Sequence, residues 1–160
     1  MKILITGGTS ATALKLLKAF NGAEVVFGDY GSVPAMKTDL YSFESLGEFN
    51  ADTLAHTLLN ACLDLGIDKL LPLRNDEIEA VSKSAVLFSE FNIEVMLPNA
   101  KEIDTFLKEK SPLANNWAVF ENGNLLFATE ARAFVLAKAK AENLTGAFYF
   151  DDATMVLMSV

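Results

Sequence analysis

One cysteine and one histidine in 160 residues exclude a good deal of chemistry at once. Cys62 has no partner for an internal disulfide, which fits a reducing compartment. With His56 as the sole imidazole, the usual zinc-ligand sets cannot be assembled. His56 also falls opposite Leu54 and Leu58 on its helix, away from the strand ends, so no Ser-His-Asp or Cys-His pairing is available. Positive charge is scarce. Lys and Arg number 13 against 21 Asp and Glu, a net charge of -8. Such a chain is repelled by phosphate backbones, so nucleic acid and anionic membranes are poor partners. No apolar run approaches the roughly 18 residues of a membrane helix. No charged-then-apolar leader precedes the first strand, because Lys2 runs straight into Ile3-Leu4-Ile5. The expectation is a soluble, cytoplasmic protein.

Apolar side chains make up 51% of the chain, with 12 Phe, enough to build a core. The organising stretch is Met1 to Ala11: a short apolar strand, the glycine turn Gly7-Gly8, and a helix start capped by Thr9 or Ser10. Its helix carries Ala13, Leu14, Leu16, Leu17 and Phe20 on one arc and stops at Asn21-Gly22. Glu24 to Gly28 is the second strand, ending in Asp29-Tyr30. Residues 31–49 are irregular, with at most a short strand near Tyr41 to Phe43. Asn50 caps a helix to Leu65, with Gly66 at the left-handed position after it. Lys69 to Leu73 is a strand. A helix follows from Asn75 or Asp76 to Phe91, with Ile78, Val81, Ala85 and Phe88 inward. Ile93 to Leu97 is a further strand, and Asn99 caps another helix. Strand and helix alternate as in a parallel sheet.

Ser111-Pro112 marks a boundary. After it, two strands flank Asn122-Gly123-Asn124, a hairpin signal. A helix over 130–143 and two more strands, 147–150 and 154–160, complete the tail. The fold class is α/β: a three-layer Rossmann-like parallel sheet of four or five strands over 1–112, with a strand-rich ββαββ extension over 113–160.

Gly7, Gly8, Thr9 and Ser10 point backbone N–H groups and a helix start at one spot, where an anion could bind. The same turn equally serves as a plain strand-to-helix connection. A dinucleotide fingerprint needs three spaced glycines, and the later positions here are Ser10 and Thr12 or Ala13. Asp29 lies 22 positions after Gly7 and is either a ribose acceptor or a turn acid before Gly31. Arg74, Asn75, Asp76 and Glu77 stand at the carboxyl end of a strand, where open α/β sheets bind ligands. Arg74 offers a planar fork for a carboxylate or phosphate, and Asp76 and Glu77 could hold an amine, a hydroxyl or a metal. Asp76 and Glu79 also have capping-box spacing, a purely structural alternative. Cys62 and the aromatic residues of the tail belong to the core. No metal site and no catalytic residue is assigned.

The segment Ile3-Leu4-Ile5-Thr6-Gly7-Gly8-Thr9-Ser10-Ala11-Thr12-Ala13-Leu14 resembles the start of the N-terminal, pre-ATP-grasp domain of ATP-grasp ligases, closest to the carbamoyl-phosphate-synthetase-like and amino-acid-ligase branches. The spacing to Asp29 is similar, as are Leu70-Leu71-Pro72 followed by Asp76-Glu77, the run from Ile93 to Pro98, and a helix running to a lysine near Lys110. The likeness covers about residues 1–110. It implies a domain that helps form a substrate cleft, while ATP, magnesium and the chemistry belong to a catalytic domain that follows. Only 50 residues follow Lys110, and they contain no evident ATP lysines or metal-binding acids.

Three readings are therefore carried forward. The first is a stand-alone, non-catalytic pre-ATP-grasp-like domain. It would bind a small anionic metabolite or nucleotide at Gly7 to Ser10, Asp29 and Arg74 to Glu77, or dock to a separately encoded catalytic subunit. The second is an NAD(P)-dependent reductase or epimerase, for which no Tyr-x-x-x-Lys pair exists. ATP and NAD(P) are the candidate cofactors, and neither has a full motif. The third is a structural domain that homo-oligomerises through the final strand, Met155 to Val160, with Val156 or Met158 facing outward.

Overall fold

The computed structural model describes residues 1–108 and 116–160. The chain forms two compact units, Met1–Val95 with Ser159–Val160, and Met96–Met158. The expected boundary at Ser111-Pro112 and the helix end near Lys110 lie outside the described residues.

The first unit is built on β1 (Lys2–Ile5), β2 (Glu24–Asp29), β3 (Tyr41–Ser45), β4 (Lys69–Leu71) and β5 (Glu94–Val95). They form one parallel sheet in the order β3-β2-β1-β4-β5. β1 lies in the middle, with Leu4 opposite Val26 on one side and Leu70 on the other. Parallel neighbours need crossover connections, and the right-handed rule sends helices to both faces. Helices on both faces explain why Ile3, Leu4 and Ile5 are fully buried without alternating with polar residues.

The flanking helices are α1 (Ala11–Lys15), α2 (Leu54–Leu65), α3 (Asn75–Lys83) and α4 (Ala85–Glu90). Ser10 caps α1, its Oγ accepting from the Ala13 N–H at 3.1 Å. After one turn the helix tightens into a 3-10 segment, Leu16–Phe20. That change of pitch buries Ala13, Leu16 and Phe20 and leaves Leu14, expected on the inner arc, 50% exposed. The helix expected from Asn75 to Phe91 breaks at Ser84, whose backbone (φ -112, ψ 14) has left the helical region. The chain restarts so that Phe88 is buried and Ala85 is exposed, contrary to the inward placement expected for it. Gly66 ends α2 in the left-handed conformation (φ 68), as its position predicts. His56 is exposed on α2.

Cys62 is buried on the inner face of α2, and burial pushes its thiol up to about 12. Only the thiolate reacts readily. The folded chain should therefore resist labelling by an aromatic disulfide reagent at mildly alkaline pH. Complete labelling in strong guanidinium chloride serves as the reference, and labelling at the rate of a free thiol in the folded state would contradict the burial.

The second unit contains α5 (Ala100–Lys108), β6 (Asn116–Glu121), β7 (Asn124–Ala128), α6 (Ala133–Ala141), β8 (Gly146–Phe150) and β9 (Met155–Leu157). The four strands form an antiparallel sheet in the order β7-β6-β8-β9. Asn122 and Gly123 both take positive φ, 49 and 79, which is the type I′ turn that the sequence signals. Trp117, Phe120, Phe148 and Phe150 are buried, and Phe106 of α5 stands edge-on to Phe148 at 5.1 Å. Asp151 closes the last turn, its Oδ1 accepting from the N–H groups of Ala153 and Thr154. Those bonds hold its carboxyl below the usual range. Val156 and Met158 are both buried, because β9 pairs with β8 and α5 packs against it. Neither faces outward as expected. The strand at the other side of this sheet, β7, is the one that exposes apolar residues, Leu125 at 44% and Leu126 at 39%.

Candidate functional site

The chain leaves β1 toward β2 and β3 on one side, then returns to lay β4 and β5 on the other. The strand order thus reverses between β1 and β4. Loops leaving adjacent strands in opposite directions open a crevice at the carboxyl ends. A cleft of about 310 Å³ lies there, lined by Gly7, Ser10, Asp29, Arg74, Asn75, Asp76 and Val160.

Each wall has a local cause. Gly7 takes φ +59, a conformation that a Cβ disfavours, and turns the chain out of β1. Gly8 is pressed against β2, where its N–H donates to the Gly28 carbonyl at 3.0 Å. The Ser10 N–H donates to the Gly7 carbonyl at 3.0 Å. Asp29, at the end of β2, accepts from both the N–H of Thr9 (3.2 Å) and its hydroxyl (2.5 Å). The N–H groups of Gly8, Thr9 and Ser10 are therefore engaged within the fold. The helix they precede has only one α-turn, which limits the dipole it presents.

Arg74 dominates the opposite wall. Its Nε and Nη2 donate to the two carboxylate oxygens of Asp76 at 3.2 and 3.0 Å. Its guanidinium lies 4.4 Å from the Phe49 ring centroid and 5.2 Å from that of Tyr30. The two rings meet edge to face at 5.3 Å. The fork is thus fixed by a carboxylate at its edge and aromatic surface against its faces. The Asp76 bond raises Arg74 and lowers Asp76 relative to their ordinary values.

Behind this wall sits a fully buried carboxylate. Glu77 has no exposed surface. Its Oε1 accepts from the Thr6 hydroxyl at 2.8 Å and the Arg74 N–H at 3.3 Å, and its Oε2 accepts from the Tyr30 hydroxyl at 2.7 Å. Thr6 in turn accepts from the Leu73 N–H at 2.9 Å. Burial holds Glu77 above the ordinary carboxylate range, against the opposing pull of its hydrogen bonds. Burial, followed by the charge of Glu77, holds the Tyr30 phenol above its own ordinary value. Glu77, not Glu79, is the acid that caps α3. The helix begins at Asn75, so the position three beyond its N-cap falls on Glu77, while Glu79 pairs with Lys83 on the surface at 3.2 Å. Arg74 has no acceptor with which to return the bond, so only half of a capping box forms.

Of the nine residues singled out in the sequence, Gly7, Ser10, Asp29, Arg74, Asn75 and Asp76 line the cleft. Gly8 and Glu77 are buried, and Thr9 is tied to Asp29. Thr6, Tyr30, Phe49 and Val160 were not singled out. The Val160 N–H donates to the Leu73 carbonyl at 2.8 Å, so the end of the described chain closes one side of the cleft. Among the described residues, no group of three or more His, Cys, Asp or Glu side chains is placed to hold a metal ion. Also among them, no helix is long and apolar enough to cross a membrane.

No protein-family model matches the chain, and no curated protein does. Solved structures do. The urea carboxylase of Kluyveromyces lactis is similar at 15% identity and a TM-score of 0.51, over 99% of this chain and 19% of that one. The urea amidolyase of K. lactis gives 17% identity and a TM-score of 0.49, over 99% of this chain and 13% of that one. Glycinamide-RNase-transformylase T from Mycobacterium tuberculosis gives 20% and 0.42, over 63% of this chain and 27% of that one. The chain therefore spans well under a third of each of these proteins. At such identities the likeness concerns the fold alone. The strand order of the first unit is Rossmann-like, and the likeness to the urea carboxylase is one of fold.

Proposed function

We propose that this segment is a non-catalytic, pre-ATP-grasp-like domain that holds a small metabolite in the crevice between β1 and β4. The observation that carries this reading is the coincidence of the topological switch point with a cleft lined by six of the residues chosen from sequence chemistry. The lining contains no His, Cys or Lys to act as nucleophile or base. The Ser10 hydroxyl donates to the Gly7 carbonyl at 2.6 Å, and the Tyr30 hydroxyl is held by Glu77. A cleft of about 310 Å³ is at the small end of ligand sites, which favours a compact metabolite over a dinucleotide. The N–H groups of Gly8, Thr9 and Ser10 already donate within the fold, which likewise speaks against the NAD(P) reading, since the pyrophosphate would need them.

Thermal-shift measurements against ATP, NADPH, carboxylates and amino acids test the proposal. A small metabolite should raise the midpoint in proportion to RT ln(1 + [L]/Kd), about 2.7 kcal/mol at a hundredfold excess over Kd. Arg74→Gln should abolish the shift while the folded spectrum persists. No shift with any class, and no difference between Arg74→Gln and the parent, would end the reading.

A further inference from the structure

We propose that the crevice takes a zwitterion, a small amino acid whose carboxylate lies on Arg74 and whose ammonium lies on Asp29. This rests on the crevice being a ligand site.

The argument is an inventory of charge and of unfilled hydrogen-bond positions. Among the lining residues one side chain is positive, Arg74, and two are negative, Asp29 and Asp76. The side chains of the others, Gly7, Ser10, Asn75 and Val160, are uncharged. Arg74 and Asp76 neutralise each other through their two-pronged contact. That contact uses two of the five guanidinium N–H groups and leaves three in fixed directions. Asp29 has no cation within ion-pair distance among the described residues. Its Oδ2 is filled by the two Thr9 donors, but its Oδ1 accepts only the Tyr30 N–H, at 2.9 Å. One lone pair of a full negative charge stays open.

A simple anion would satisfy Arg74 but enter a lining with an excess of negative charge. A simple cation would satisfy Asp29 and leave the guanidinium edge unfilled. A molecule with both charges fills both, and the cleft volume suits one of amino-acid size. The glycine turn does not change this balance, because its N–H groups already donate inside the fold.

Proton–nitrogen NMR on the full chain decides the matter. The probes are acetate, methylammonium, glycine, β-alanine and 4-aminobutyrate at constant ionic strength. The amides of Gly7, Ser10, Asn75 and Asp76 should shift saturably with one of the amino acids, about tenfold tighter or more than with acetate or methylammonium. The chain length that binds tightest measures the separation of the two charges. Asp29→Asn should remove the advantage over acetate and leave the acetate response in place. Acetate binding as tightly as every amino acid in the parent protein would overturn the zwitterion assignment while leaving the crevice a site. No response to these probes or to ATP and NADPH would overturn both.

Discussion

Glu77→Ala should destabilise the first unit by about 3 kcal/mol or more, read as a fall in the urea midpoint. The substitution strands three donors at once, the buried Thr6 hydroxyl and the partly buried Tyr30 hydroxyl and Arg74 N–H. Each buried unsatisfied group costs about 1–3 kcal/mol. A loss within about 0.5 kcal/mol, the range of ordinary surface changes, would show that the network contributes nothing. Glu77→Gln separates charge from connectivity. Burial holds the folded carboxyl above its ordinary value, so the folded state binds that proton more readily than the unfolded chain does. The ionised form is thus the costly one. The parent should gain stability relative to Glu77→Gln as pH falls through the raised value, and the difference should level off below the ordinary glutamate range. A difference independent of pH would mean that Glu77 is not titrating as its burial requires.

Gly8→Val should prevent the first unit from folding, and Gly8→Ala should cost about 1–3 kcal/mol or more. A Cβ on Gly8 would lie 2.7 Å from the carbonyl carbon of Phe27 and 2.8 Å from the nitrogen of Gly28. Both are backbone atoms of a strand buried within the sheet, and neither has anywhere to go. Circular dichroism and urea melts of the two variants check the order. A Gly8→Val protein with the parent's midpoint would contradict the close approach. The neighbouring glycine differs in kind. A Cβ on Gly7 would meet a Val160 methyl at 2.7 Å, the end of a side chain that can turn aside, so the penalty there comes mostly from its positive φ. Loss of binding in a Gly8 variant would therefore report on the fold, whereas Arg74→Gln reports on the site.

The difference between these two glycines was not legible in the sequence, where Gly7-Gly8 is one motif. Signals that act over a few residues were legible: Gly66 after its helix, the Asn122-Gly123 turn, the Ser10 cap, and the apolar strand at Ile3 to Ile5. Those features fixed the alternation of elements, and with it the parallel sheet. Contacts between distant positions were not. Glu77 meets Thr6 across 71 positions and Tyr30 across 47, so along the chain it passes for an ordinary acid in the first turn of a helix. Phe49 lies in the stretch that has no clear periodicity, because β3 is short and only partly buried. The 3-10 segment after α1 left no trace either, since Leu16 and Phe20 suit an α-helix equally well. The location of the crevice was recoverable because it follows from strand order. Its charge balance was not, because that depends on which groups pair with one another.

The central place of β1 bears on how the crevice exchanges amide hydrogens with solvent. β1 is hydrogen-bonded to β2 on one flank and β4 on the other, and Ile3, Leu4 and Ile5 have no exposed surface. Such amides open only when the whole unit opens. Gly7 to Ser10 continue directly from that strand, so the glycine wall of the crevice is tied to global unfolding. Phe49, whose ring packs against the Arg74 guanidinium of the other wall, belongs to the margin of the sheet, following the edge strand β3, where fraying is cheap. The strand that carries the glycine turn should therefore exchange slowly, and the segment around Phe49 faster. A ligand that fills the crevice and binds only the folded state should slow exchange throughout β1.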